Sequence, residues 1–146
     1  MRILGIFVSL LFLTFSTQAL SKNDYSGYWW SEDHNSIFEL VQTVQNIEGI
    51  TRWAEEPRND SQHPDINLRQ RSLLNVTFLW GFEYKARDNS WRNGQVYDPD
   101  NGKTYSATLK LSDSGKILEM RGYIGISLFG RNAKFDRVKI EDMPAM

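Results

Sequence analysis

"LNVTFLWGF", Leu74 to Phe82, decides the fold. Leu74, Val76, Phe78, Trp80 and Phe82 stand at every second position, with Asn75, Thr77 and Gly81 among the residues between them. A helix would space its apolar residues three and four apart; a period of two is a strand with one buried and one solvated face. The same alternation recurs at 103–111, where Tyr105, Ala107, Leu109 and Leu111 alternate with Thr104, Ser106, Thr108 and Lys110. Strands are expected at 27–31, 36–43, 47–53, 73–84, 91–97, 103–111, 117–122 and 131–138. Between them stand turn clusters such as Asp98-Pro99-Asp100-Asn101-Gly102 and Ser112-Asp113-Ser114-Gly115. The only helical hint is 64–71, where Pro64 can open a short turn. The fold class read from this pattern is all-β: an eight-stranded antiparallel up-and-down barrel, with a two-sheet sandwich as the other arrangement the pattern allows.

In a meander, successive strands reverse, so loop parity sorts the ends. Loops 44–46, 85–90 and 112–116 share one end and are short and polar. Loops 32–35, 54–72, 98–102 and 123–130 share the other, which therefore reads as a mouth. That end receives the apolar stretch Tyr123, Ile124, Ile126, Leu128 and Phe129. Such a run is stable in water only if it buries something, either folding inward, touching a ligand or docking a partner.

The first residues are set apart from the fold. Arg2 precedes an almost wholly apolar run from Ile3 to Phe15, and Thr17-Gln18-Ala19 supplies small residues for cleavage. Residues 1–19 read as a signal peptide, too short to span a membrane, leaving 20–146 as one domain. The chain of 146 residues has no cysteine, hence neither a disulfide staple nor a lipid-anchor cysteine. A soluble periplasmic protein without a stable membrane anchor is expected. A formal net charge of −1 is not that of a general nucleic-acid binder.

Gly27-Tyr28-Trp29 opens the first strand, and Phe135-Asp136-Arg137 closes the last. Parity puts them side by side at the closed end, and Gly-x-Trp with a late Arg resembles the lipocalin pattern, in which the guanidinium lies across the indole. Gly27, Trp29 and Arg137 are the expected closure. A wider resemblance is carried by "DPDNGKTYSATLKLSDSGKILEMRGYIGISLFGR", 98–131, together with "GYWWSED", "GITRWAEEP" and "RQRSLLNVTFLWGF". These stretches resemble the bacterial family catalogued as domain of unknown function 2147. Many members carry cysteines in the second and third strands, absent here, and Ser72 and Asn75 stand where Pro and Gly are usual. The resemblance implies an exported lipocalin-like, calycin-type barrel and no particular reaction, since the family has no assigned activity.

Chemistry-bearing motifs are few. His34 lies in a polar turn and His63 precedes Pro64, with no second ligand at metal spacing; both read as solvated loop residues. Asp98 to Gly102 fails as a calcium loop, because the fifth position is Gly102 and the twelfth Leu109, and reads as a hairpin turn. Ser127 has no histidine with a route to it. No metal, cofactor or catalytic set is expected. Four arginines, Arg69, Arg71, Arg121 and Arg131, map to the mouth, where bidentate guanidiniums suit a carboxylate or phosphate; Asp65, Asp98 and Asp100 share that end and are alternative partners. Trp29, Phe38, Trp53, Phe78, Trp80, Tyr105 and Phe135 are candidates to fill the interior. The leading expectation is a small apolar or amphipathic ligand at the mouth, involving these arginines and Tyr123 to Phe129. The alternative is an envelope interaction or structural protein with a filled barrel.

Overall fold

A computed structural model describes residues 24–123 and 131–145. Nine strands form one antiparallel sheet: β1 (Gly27–Trp30), β2 (Ser36–Gln42), β3 (Ile47–Ala54), β4 (Thr77–Trp80), β5 (Glu83–Lys85), β6 (Ser90–Asp98), β7 (Lys103–Leu111), β8 (Ile117–Tyr123) and β9 (Arg131–Asp136). Eight follow one another in the order β1-β2-β3-β4-β6-β7-β8-β9, and β5 is a short spur on β6. The path closes on itself where Trp29 bridges Arg137 and the Val138 N–H donates to the Tyr28 carbonyl at 2.9 Å. The result is the expected eight-strand barrel. Single 3-10 turns occur at Ile66–Leu68 and Ile140–Asp142.

Alternation drives each strand to one inner face. Leu109 and Leu111 of β7 lie in register with Met120 and Leu118 of β8, which in turn face Ala133 and Phe135 of β9. Their partners in sequence, such as Lys110, Glu119 and Lys134, remain on the outside. Burying each aliphatic side chain contributes about 1.5–3 kcal/mol against exposure, so the period-two pattern is selected by packing.

The stretch that opened the fold departs from its expected form. The expected strand 73–84 divides into β4 and β5. Asn75 takes a left-handed φ of 63°, and Gly81 one of 72°. The register of β3 against β4 also shifts between Gly49 and Ile50. Parity is therefore reset inside the run. Leu79 is the residue of β4 that is buried, at 1 % exposure, while Trp80 is 36 % exposed. Leu79 occupies the space Gly49 leaves empty, since a Cβ on Gly49 would lie 2.6 Å from Leu79 Cδ1. Trp53 also leaves the expected core, standing edge-on to Trp30 at 6.0 Å, with Trp30 stacked on His34 at 5.3 Å.

The closed end is densely tied. Arg137 Cζ lies 4.2 Å from the centroid of the Trp29 ring. Its guanidinium donates to the carbonyls of Gly115 (2.8 Å), Ser26 (2.6 Å) and Asp24 (2.8 Å). A cation over an indole contributes about 0.5–2 kcal/mol, and the carbonyls take one N–H from each of the three guanidinium nitrogens. Gly27 sits under this arginine with φ 119°, where a Cβ would be 3.1 Å from Nη1. Tyr25 acts as a stopper: its hydroxyl donates to the Asn89 carbonyl (2.6 Å) and accepts from the Leu111 N–H (3.0 Å). Burial pushes its pKa up to about 12. Above it Leu40, Ile47, Trp91, Leu109 and Leu118 fill the lower barrel.

Candidate functional site: the barrel mouth

The upper barrel is built differently. Three phenylalanines form its floor: Phe38 meets Phe78 at 5.4 Å and Phe135 at 5.1 Å, both rings near perpendicular. Edge-to-face packing suits the aromatic quadrupole. Above the floor opens a cavity of two lobes, of about 690 and 480 Å3. They meet at Ser31, Phe78, Tyr97, Pro99, Asp100 and Phe135. The larger lobe runs under the segment joining β3 to β4, past Glu55, Glu56, Pro57, Arg58, Leu73 and Leu74. The smaller follows β6, β7, β8 and β9, past Val96, Tyr105, Met120, Ala133 and Arg131. Both lobes are in the size range of small-molecule pockets. Both also lie at the end that loop parity marks as the mouth.

The β3–β4 segment is held in place by a buried carboxylate. Asp60, 0 % exposed, accepts from Arg71 Nε (3.0 Å) and Nη2 (2.8 Å) on one oxygen and from the Tyr97 hydroxyl (2.5 Å) on the other. Its backbone N–H donates to the Arg71 carbonyl at 3.0 Å. A buried charge is tolerated only when paired and hydrogen-bonded on all sides, as here. Burial, reinforced by the Asp60 carboxylate, pushes the Tyr97 pKa up to about 12. Tyr97 lines both lobes, so the cluster couples the segment to the cavity wall.

The Asp98–Gly102 turn is the second fastening. Asp98 accepts from Asp100 N–H and Asn101 Nδ2, both at 2.9 Å, and the Gly102 N–H closes on the Asp98 carbonyl at 2.9 Å. Gly102 has φ 68°, and a Cβ there would lie 2.0 Å from the Gln62 carbonyl oxygen. Only glycine allows this turn to abut the β3–β4 segment so closely. An ion pair from Arg58 to Asp100 also crosses between them.

The structure separates the four arginines. Arg71 is committed to Asp60, and Arg69 Nε donates to the His63 carbonyl at 2.8 Å. Arg131 lines the smaller lobe and pairs with Glu32 at 2.5 Å. Arg121 lies on the outer face, in register with Thr108 and Asn132, while its neighbours Met120 and Gly122 line the cavity. Four converging guanidiniums are therefore not formed: β8 alternation turns one away and a buried aspartate engages another. Tyr123 ends β8 opposite Ser106; Ile124, Ile126, Leu128 and Phe129 lie outside the described residues, as does the expected leader 1–19. His34 contacts Asp136 at 3.1 Å, and His63 Nδ1 accepts from the Asp65 N–H at 3.0 Å. Among the described residues, no three His, Cys, Asp or Glu side chains are grouped to hold a metal.

Asp60, Tyr97, Arg58, Glu55 and Glu56 escaped the sequence reading. Asp60 and Tyr97 are 37 residues apart, and no local spacing signals their contact. The available hint was weaker: two aspartates and three arginines in a loop too long for a barrel turn.

Comparison with known proteins adds the following. A family model described as "Uncharacterized protein conserved in bacteria (DUF2147)" matches residues 27–137. The solved structure titled "Protein HP1028 from the human pathogen Helicobacter pylori belongs to the lipocalin family" is similar to this chain, with a TM-score of 0.72 at 20 % identity. The likeness covers 82 % of this chain and 86 % of that one. No curated protein matches.

Proposed function

The chain belongs to the DUF2147 family of bacterial proteins, and we propose that it is a lipocalin-like carrier whose mouth cavity takes up a small apolar or amphipathic molecule. One observation carries this reading: the lower barrel is filled while the upper half opens over Phe38, Phe78 and Phe135. A barrel serving only as a structural block would gain by packing both halves, since each unfilled contact forfeits dispersion energy. The lipocalin-like architecture supports a binding role, and so does the makeup of the walls, apolar with a few polar groups at the rim. Binding is preferred to catalysis because no nucleophile beside a base has been found among the lining side chains. We place the protein in the periplasm on the strength of residues 1–19.

Native mass spectrometry of protein isolated from its own bacterium tests the reading, followed by solvent extraction of whatever is released. A stoichiometric adduct is expected. A bare mass that persists after incubation with a total lipid extract would overturn it and favour the filled-barrel interaction protein. Cell fractionation tests the location, and intact residues 1–19 on a cytoplasmic product would refute it.

A further inference from the structure

The charge around the cavity bears on the polar end of the ligand, an inference that rests on the binding reading above. Two cations line the cavity, and both are already matched: Arg58 by Asp100, and Arg131 by Glu32. Three further carboxylates line it without a cation against them. Glu55 and Glu56 make no side-chain hydrogen bond or ion pair among the described residues. Asp98 accepts from two neutral donors, the Asp100 N–H and the Asn101 amide, and makes no ion pair among the described residues. The nearby arginines do not offset this, because Arg69 is turned to a backbone carbonyl and Arg71 to buried Asp60. Residues 124–130 contain no ionisable side chain.

Negative charge thus surrounds a cavity with aromatic walls. Low-dielectric walls focus such a field into the opening, and aromatic faces attract cations from within about 6 Å. An anionic head would meet the carboxylates with both arginines already engaged. We propose that the molecule bound in the mouth carries a cationic head group, an amine or quaternary ammonium, on an apolar body.

The test uses three probes of equal chain length, dodecylamine, dodecanoate and dodecanol, titrated calorimetrically below micelle formation at neutral pH and low salt. The amine is expected to bind about tenfold tighter than dodecanoate, equivalent to about 1.4 kcal/mol. That preference should shrink with added salt and in the E55Q/E56Q double variant, whose exposed positions leave folding intact, as a thermal melt would verify. The protein's net charge of −1 is too small to produce such a preference by itself. Dodecanoate binding as tightly as the amine, or a preference unchanged in E55Q/E56Q, would overturn the proposal. Dodecanol binding as well as the amine would keep the cavity and remove the head-group preference. Failure of all three to bind would remove both.

Discussion

The two ends of this barrel solve the same problem in opposite ways. At the closed end a tryptophan, a tyrosine and an arginine seal the opening by satisfying backbone carbonyls and filling space. At the mouth the cavity opens over three edge-to-face phenylalanines, and polar fastenings tie the loops to one another and to the wall without filling the space between. Stability is therefore concentrated at one end and opportunity for binding at the other.

Substitutions can break or sharpen that contrast. Trp29→Ala should have the largest effect, about 3–5 kcal/mol in urea unfolding, since it removes a fully buried indole and the platform beneath Arg137. A loss below 1 kcal/mol would mean the closed end is not the anchor. Asp60→Asn tests a deeply buried charge on the mouth side. It should cost about 3 kcal/mol, because Arg71 loses its counter-charge and either Arg71 or Tyr97 is left facing an amide NH2 where it had a carboxylate oxygen. Limited proteolysis should then cut within 55–76, where the parent resists.

Alkaline pH probes both ends together. Tyr25 and Tyr97 each have a pKa of about 12 in the folded protein, against 10.0 for the free side chain. The folded state therefore retains a proton that the unfolded state gives up. The corresponding stability is complete below pH 10 and falls as pH rises towards 12, by about 1.4 kcal/mol per unit for each tyrosine. Chemical denaturation measured between pH 9 and 12 should show that slope, and Tyr25→Phe should remove one proton's share of it. The smallest effect is expected from Arg131→Ala. Its pair with Glu32 is exposed, so stability should change by less than about 1 kcal/mol. A larger loss would show that the mouth is braced as heavily as the base.

What the sequence reveals divides along the same line. The strands, the turns and the two ends follow from alternation and parity, which are local properties. The Gly27, Trp29 and Arg137 arrangement was readable because parity brings the start of the first strand beside the end of the last, and the resemblance to the lipocalin pattern implies the arginine across the indole. The mouth was harder. Parity was lost across 73–84, because left-handed Asn75 and Gly81 and a register shift each reset which face a side chain takes; Trp80 and Leu79 exchanged roles as a result. For the arginines, parity assigns an end but no partner. Whether Arg71 meets a ligand or Asp60 depends on the course of a loop, and loop paths leave no periodic trace.

The closure of the barrel also bears on the order of assembly. The Arg137 guanidinium reaches the Asp24 carbonyl across 113 residues, and the Leu111 amide reaches Tyr25 across 86. The second needs the chain as far as Leu111, and the first needs almost all of it. Meanwhile β1 has only β2 beside it and presents an unpaired edge. Joining segments so distant in sequence is entropically demanding, and open strand edges attract other chains. Neighbouring strands pair locally, whereas the seam joins the two ends of the sheet, so a molecule whose seam has not formed is an open sheet with edges that other chains can pair with.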